Sequence, residues 1–374
     1  MVPLINNGRK LMKALRSQLV GLLAGMTIGI FGFASHAEYY NGKTVSVLVG
    51  FPPGGGASLV VQNFAPFWTK HTPGNPRFIV KNMPGAGGSK AVNFMYDFNN
   101  KTGETILFSP SKIAAEVMKS RGQRAVHNKF EILGLVYDKY VAFSLSDVGT
   151  GLKKPTDIMK VGTIKMSARS PSSTLDVMGR AALDLLGIKY QFVCCYRGDA
   201  KTYAAMLSGE VQMANVGVSG YREQYEPQLV KKGKALALFH MPTLTSKGEL
   251  VVPDPDFPDM PALSELYKTL HGNPPSGSQW EAILWLKQAS ARMAAAAPGT
   301  NKEAVSALRK GFIAAQKDPE FIAAHQKRFG TKWTYFSGED GANVFNKIKN
   351  ADPAVVKLLS TKYFTAKGKK RKSK

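Results

Sequence analysis

The chain has 374 residues, 44% of them hydrophobic, and 50 Lys+Arg against 26 Asp+Glu give it a formal charge of +24. This composition suits a globular protein with a sizeable core. Two cysteines exclude a disulfide framework, and no stretch beyond the N-terminus is apolar enough to span a membrane.

Residues 1–37 read as a secretory signal peptide. Arg9, Lys10, Lys13 and Arg16 form a basic region, Leu19 to Phe33 is uncharged and apolar, and Ser35-His36-Ala37 places small residues at the cleavage positions. Cleavage after Ala37 is expected, which makes the chain periplasmic. At the other end, Lys367 to Lys374 carries six positive charges and reads as a solvated, disordered tail. Setting aside the four charges of the leader and the six of the tail leaves a body charge of +14. That surplus favours an anionic partner. An exported chain without a basic-aromatic motif excludes nucleic acid as that partner.

The mature chain opens with a strand, Val45 to Phe51, followed by Pro52-Pro53-Gly54-Gly55-Gly56. Leu59 to Thr69 fits a helix that Pro66 should kink or end. Pro73-Gly74-Asn75-Pro76 is a turn. A second strand, Phe78 to Lys81, runs into Asn82-Met83-Pro84-Gly85-Ala86-Gly87-Gly88 and a helix from Ser89 to Phe98. Thr105 to Phe108 is a third strand, ending at Ser109-Pro110-Ser111. Strands alternating with helices imply a parallel sheet. Glycines at strand C-termini let backbone N–H groups approach a ligand, and helix starts favour an anion.

Phe130 to Ser146 is strand-rich and crosses to a second lobe. There Lys160 to Ile164 is a strand, Ser167 to Ser173 a polar loop, and Thr174 to Leu186 a helix closed by Gly187. Ser173 with Asp176 has capping-box spacing. Tyr190 to Tyr196 is a strand on which Cys194 and Cys195 should face opposite ways, so two reduced thiols are expected. Arg197-Gly198-Asp199 leads into a helix to Ser208, and Val211 to Val216 is a strand. Ala235 to His240 is expected to cross back to the first lobe. Val251 to Pro261 is a loop, and Trp280 to Ala291 reads as apolar strand or helix. Helices follow over 302–316, 319–329 and 341–349, with Asp352-Pro353 opening a last one. Trp280, Trp285 and Trp333 are assigned to packing.

Several of these landmarks, in this order, resemble the receptors of tripartite tricarboxylate transporters, the Bug or TctC family. They are Gly54-Gly55-Gly56, Pro73-Gly74-Asn75-Pro76, Asn82 to Gly88, Tyr196-Arg197-Gly198, Gly209-Glu210-Val211, Asp259 to Glu265 and Ala297-Pro298-Gly299-Thr300. The resemblance covers Thr44 to about Phe364. It implies a two-lobed α/β fold of the periplasmic-binding-protein (Venus-flytrap) kind, with a sheet in each lobe and the ligand cleft between them. The lobes are expected at 38–141 with 239–366, and at 142–238.

The resemblance implies capture of a small organic anion, a carboxylate, by a monomer that delivers it to the membrane permease subunits of such a transporter. It implies no cofactor, no metal and no catalysis. Carried over, the first-lobe site is Phe51, Gly54, Gly55, Gly56, Ala57 and Ser58. The second-lobe site is Ser170, Ser172, Ser173 and Asn215, and Tyr196 is a candidate for the cleft wall. Relatives place Asp and Arg where this chain has Ser58 and Gln62. The binding polarity is therefore expected mainly from neutral donors, with no obligatory Arg, although Arg169 lies next to the second set. A ligand sensor on the same fold is a second reading. An enzyme is a third, but no Gly-x-Ser-x-Gly elbow, His-Glu-x-x-His pair or phosphate loop is present.

Overall fold

A computed structural model describes residues 38–364 apart from Arg197. The segments read as a signal peptide and a basic tail lie outside these residues. From Tyr39 onward the described chain forms two mixed sheets covered by helices.

The first sheet starts with β1 (Thr44–Val49), where alternation fully buries Val45, Val47 and Val49. Helix α1 (Gly56–His71) follows and runs straight through Pro66. Pro66 and Gln62, whose carbonyl loses its donor, both lie on the exposed face, where that carbonyl is open to water. Next come β2 (Arg77–Asn82), α2 (Ser89–Tyr96), β3 (Thr105–Pro110), the single-turn α3 (Ile113–Val117) and β4 (Glu131–Tyr137). Strand β1 pairs in parallel with both β2 and β3.

Only Asp138 and Lys139 separate β4 from β5 (Tyr140–Leu145), which belongs to the second sheet. That sheet adds β6 (Thr163–Ala168), α4 (Thr174–Leu186), β7 (Lys189–Cys194), α5 (Asp199–Leu207), β8 (Met213–Gly217) and β9 (Ala235–His240), in the order β7-β6-β8-β5-β9. Ala235–His240 is thus an edge strand of the second sheet, paired with β5, rather than a crossing. Gly187 caps α4 in the left-handed conformation, at φ 74°. Ser173 makes no side-chain cap there. Asp176 turns back instead and accepts the backbone N–H groups of Arg169 and Ser170 at 2.7 and 3.1 Å.

The expectation of two free thiols is overturned, because Cys194 and Cys195 are joined in a vicinal disulfide across a cis peptide. Strand β7 ends at Cys194, so the alternation that separates side chains does not extend to Cys195.

A short hairpin, β10 (Thr243–Leu244) with β11 (Leu250–Val251), precedes α6 (Leu263–His271) and α7 (Gly277–Ala289). The chain then returns to the first sheet as β12 (Arg292–Ala296), inserted antiparallel between β3 and β4, so the sheet expected to be parallel is mixed. Helices α8 (Lys302–Gln316) and α9 (Pro319–Phe329) precede β13 (Thr334–Ser337), and α10 (Gly338–Lys349) and α11 (Pro353–Lys362) follow it. The first sheet reads β13-β4-β12-β3-β1-β2.

Helices α1 and α8 pack on one face of it. Phe64, Trp68 and Phe312 are fully buried there, with ring centroids 5.3–5.6 Å apart. Each such aromatic contributes roughly 1.5–3 kcal/mol by burial. Trp68 also donates its indole N–H to the Leu308 carbonyl at 3.0 Å. Trp280 and Trp285 are buried in packing as expected.

Candidate functional site

Loops leaving the strand ends of both sheets meet around a cavity of about 80 Å³. That is several times the roughly 10–15 Å³ one water requires. From the first sheet, the exit of β1 supplies Phe51, Pro52, Gly55, Gly56 and Ala57, and the exit of β3 supplies Ser111 and Lys112. Arg292 stands beside them because it pairs with Pro110 across β3 and β12, and the Ser111 N–H donates to the Ala291 carbonyl at 3.0 Å. From the second sheet, the exit of β6 supplies Arg169 and Ser173, and Asp199 opens α5.

Arg169 is the hub of the second wall. Its guanidinium donates to Asp176 Oδ1, to the Asn215 carbonyl and to Asp199 Oδ1, each at 3.1 Å. Burial alone would lower its pKa, but Asp176 and Asp199 outweigh that and raise it. Asp199 Oδ2 accepts the Gly56 N–H at 3.0 Å across the cavity. Arg292 is paired with Asp138, while its buried Nε has no hydrogen-bond partner among the described residues.

Lys112 differs from both arginines. It is 4% exposed, and among the described residues no hydrogen bond or ion pair reaches its ammonium. Burial lowers its pKa to about 8, against a longer-range pull from Asp176. Its backbone is left-handed, at φ 67°.

Of the residues expected at the site, Phe51, Gly55, Gly56, Ala57 and Ser173 do line this cavity. Gly54 sits on the exposed outside of the turn, at φ 74°. Ser58 is fully buried and structural: its Oγ accepts the Asn82 Nδ2 at 3.0 Å, while Asn82 also donates to the Phe51 carbonyl at 2.8 Å. Gln62 reaches the same hydroxyl at 3.4 Å. Ser170 faces Gly87 of the opposite loop, with its Oγ 3.0 Å from where a Gly87 Cβ would sit. Ser172 is half-buried and off the wall. Tyr196 lies at the exit of β7, its N–H bonded to the Ala168 carbonyl at 2.9 Å, and does not line the cavity. Asn215 acts indirectly, through the carbonyl that holds Arg169.

Arg169 turns inward, and where mainly neutral donors were expected the cavity is also lined by the charged Lys112, Arg169, Arg292 and Asp199. Three of these had a signal in the sequence. Arg169 and Asp199 lie in loops already placed at strand ends, and Lys112 directly follows Ser109-Pro110-Ser111. Arg292 had none, because it opens a strand made of alanines, a residue depleted in strands. Among the described residues no group of side chains is arranged to hold a metal, and no helix is long and apolar enough to cross a membrane.

No family model and no curated protein sequence matches the chain. Solved structures do. The periplasmic binding protein BugD is 20% identical with a TM-score of 0.63, over 86% of this chain and 98% of that one. MatC (Rpa3494) from Rhodopseudomonas palustris, solved with bound malate, is 16% identical with a TM-score of 0.62, over 84% and 99%. Rpa4515 of R. palustris, solved with adipate, is 14% identical with a TM-score of 0.65, over 84% and 96%. The likeness is one of fold: the chain is a two-lobed α/β protein built like these binding proteins, with its cavity where the lobes meet.

Proposed function

We propose that the chain is an extracytoplasmic solute-binding protein of the Bug/TctC family. It captures a small organic carboxylate in the cavity between its lobes and delivers it to the membrane permease of a tripartite tricarboxylate-type transporter. The observation that carries this reading is the cavity between the sheets, which Lys112 lines with a buried ammonium that no carboxylate of the described residues pairs, while Arg169 and Arg292 beside it are already balanced. Burying cations in a small cavity is costly unless an anion offsets them. The fold neighbours point the same way, since two of them hold malate and adipate.

In this reading residues 1–37 are a signal peptide cleaved after Ala37, and the mature protein is a periplasmic monomer. The first lobe comprises 38–141 and 239–366, the second 142–238, and 367–374 form a basic tail. The protein returns its ligand unchanged, as a carrier rather than an enzyme.

A thermal-shift screen of the mature protein against mono-, di- and tricarboxylates tests the reading. A true ligand raises the melting temperature in step with its concentration by mass action. Absence of any shift across the panel sinks it. N-terminal sequencing of exported protein should begin at Glu38.

A further inference from the structure

We propose that Lys112 is the counter-ion of the bound ligand, and that the cavity selects a small monocarboxylate with a hydrogen-bond donor at its far end over a dicarboxylate. This deepens the solute-binding reading and rests on it.

The argument is one of charge placement. The cavity wall carries three cations, Lys112, Arg169 and Arg292. Arg292 is compensated by Asp138. Arg169 is shared by two carboxylates, Asp176 and Asp199. Lys112 alone has no carboxylate within ion-pair distance among the described residues, and it is almost fully buried. A buried ammonium without a partner is costly, and an entering carboxylate offsets that cost. The left-handed φ of Lys112 fits this, since side chains held in sparsely populated backbone conformations cluster at ligand sites. Arg292 lines the cavity beside it, its charge already balanced by Asp138. The pairing of Arg292 with Pro110 puts both groups at one end of the first sheet.

The wall from the second sheet has the opposite character. Asp199, which lines the cavity there, and Asp176 behind it share the single charge of Arg169. A second ligand carboxylate against that wall meets Asp199, with Lys112 already engaged by the first and Arg169 already shared, which is strongly unfavourable in a desolvated site. A hydroxyl or amine meets acceptors instead. Asp199 accepts one bond on each oxygen, and a carboxylate has about four acceptor positions. The Ser173 and Thr174 hydroxyls lie on the same wall, and Phe51, Pro52 and Leu175 suit an apolar middle.

The test is calorimetry on the mature protein at neutral pH with two matched pairs: 6-hydroxyhexanoate against adipate, and 3-hydroxybutyrate against malate. In the pair that fits the cavity, the monocarboxylate should bind at least about tenfold tighter than its diacid. Lys112→Met should lower that affinity by about tenfold or more, with Lys112→Arg retaining part of it. Lys112→Gln repeats the measurement should the Met variant fold poorly, and the selectivity of the wild type needs no variant. Tighter binding of both diacids, or wild-type affinity in Lys112→Met and Lys112→Gln, overturns the proposal while leaving a carboxylate receptor standing. If the wild type binds no carboxylate of a wider panel, the solute-binding reading falls, and this proposal falls with it.

Discussion

Asp199 and Gly56 are joined across the cavity, the carboxylate accepting the backbone N–H at 3.0 Å. The amide that opens α1 is a natural position for a ligand's anion. Here it is filled by the chain's own carboxylate, and Ser219 Oγ adds a second tie to the Gly56 carbonyl at 3.1 Å. The two sheets are therefore linked at the start of α1 as well as through Asp138 and Lys139. The first-lobe loop contributes shape to the cavity, and the charged side chains contribute polarity.

Replacing Asp199 with Ala should destabilise the protein by about 3 kcal/mol. The change leaves Arg169 with one carboxylate in place of two and orphans the Gly56 amide. Asp199→Asn keeps an acceptor and should cost less. Urea unfolding midpoints of the three proteins check this; equal midpoints would show that the cross-cavity tie is energetically idle.

Gly55 and Gly56 should respond differently to the same methyl group. A Cβ on Gly56 would lie 2.7 Å from Ser219 Oγ and 2.9 Å from the Gly220 N, so the Val218–Gly220 turn must back away. A Cβ on Gly55 meets nothing closer than the Pro52 carbonyl at 3.5 Å, an ordinary contact. Gly56→Ala is expected to hold the lobes apart and enlarge the radius of gyration in small-angle scattering, whereas Gly55→Ala should scatter like the wild type.

Carboxylate affinity should be steady below about pH 8 and decline above it. Burial lowers the Lys112 pKa to about 8 in the free protein, with Asp176 pulling the other way, and only the ammonium form pairs with a carboxylate. Asp199 shares the cavity wall with it, as do Arg169 and Arg292, whose pKa values neighbouring carboxylates raise, and Tyr140, which burial pushes up to about 12. Above pH 8 the loss approaches about tenfold per pH unit. Calorimetry from neutral to alkaline pH reads the profile, and Lys112→Arg should flatten it.

Stability should fall on the acid side through His325. This side chain is buried, stacks on Trp333 at 4.8 Å, and its Nδ1 has no hydrogen-bond partner among the described residues. Burial lowers its pKa from 6.5 to about 4, while Asp138, Arg292 and Asp256 act on it at longer range. Between those values the unfolded chain binds the proton that the folded chain refuses, so stability rises with pH there and is lost as pH falls from 6.5 toward 4. The slope is at most about 1.4 kcal/mol per pH unit. Urea titrations of wild type and His325→Phe across this window should diverge, the variant showing the shallower dependence.

Features encoded by a few adjacent residues were legible in the sequence. The strand and glycine loop at Val45 to Gly56, the left-handed Gly187 and the cap of Asp352 on Ala354 all follow from local geometry. What the sequence hides is set by partners far along the chain. Asp199 is 30 residues from Arg169 and 143 from Gly56, so no spacing rule joins them. Asp176 has helix-cap spacing from Ser173, yet two loop amides and a guanidinium outbid that local use. Strand β12 escapes notice because its stability comes from β3 and β4 on either side rather than from its alanines. At Ser58 and Gln62, where the resemblance implies charges, the Ser58 hydroxyl accepts from both Gln62 and Asn82, and the cations of the cavity sit on other strands.

The link between β4 and β5 is a short wire clamped by ion pairs: Asp138 to Arg292, and Lys139 to Asp254 and Asp256, none with a side chain more than 10% exposed. Dissolved salt screens charges in open water over a Debye length of about 10 Å at 0.1 M, but buried pairs hardly at all. The pull of the basic surface on an approaching anion therefore fades as the surroundings grow saltier, while the joint between the lobes keeps its grip. If the chain captures an anion as proposed, the speed of capture would follow the ionic strength around it, and the joint between the sheets would not.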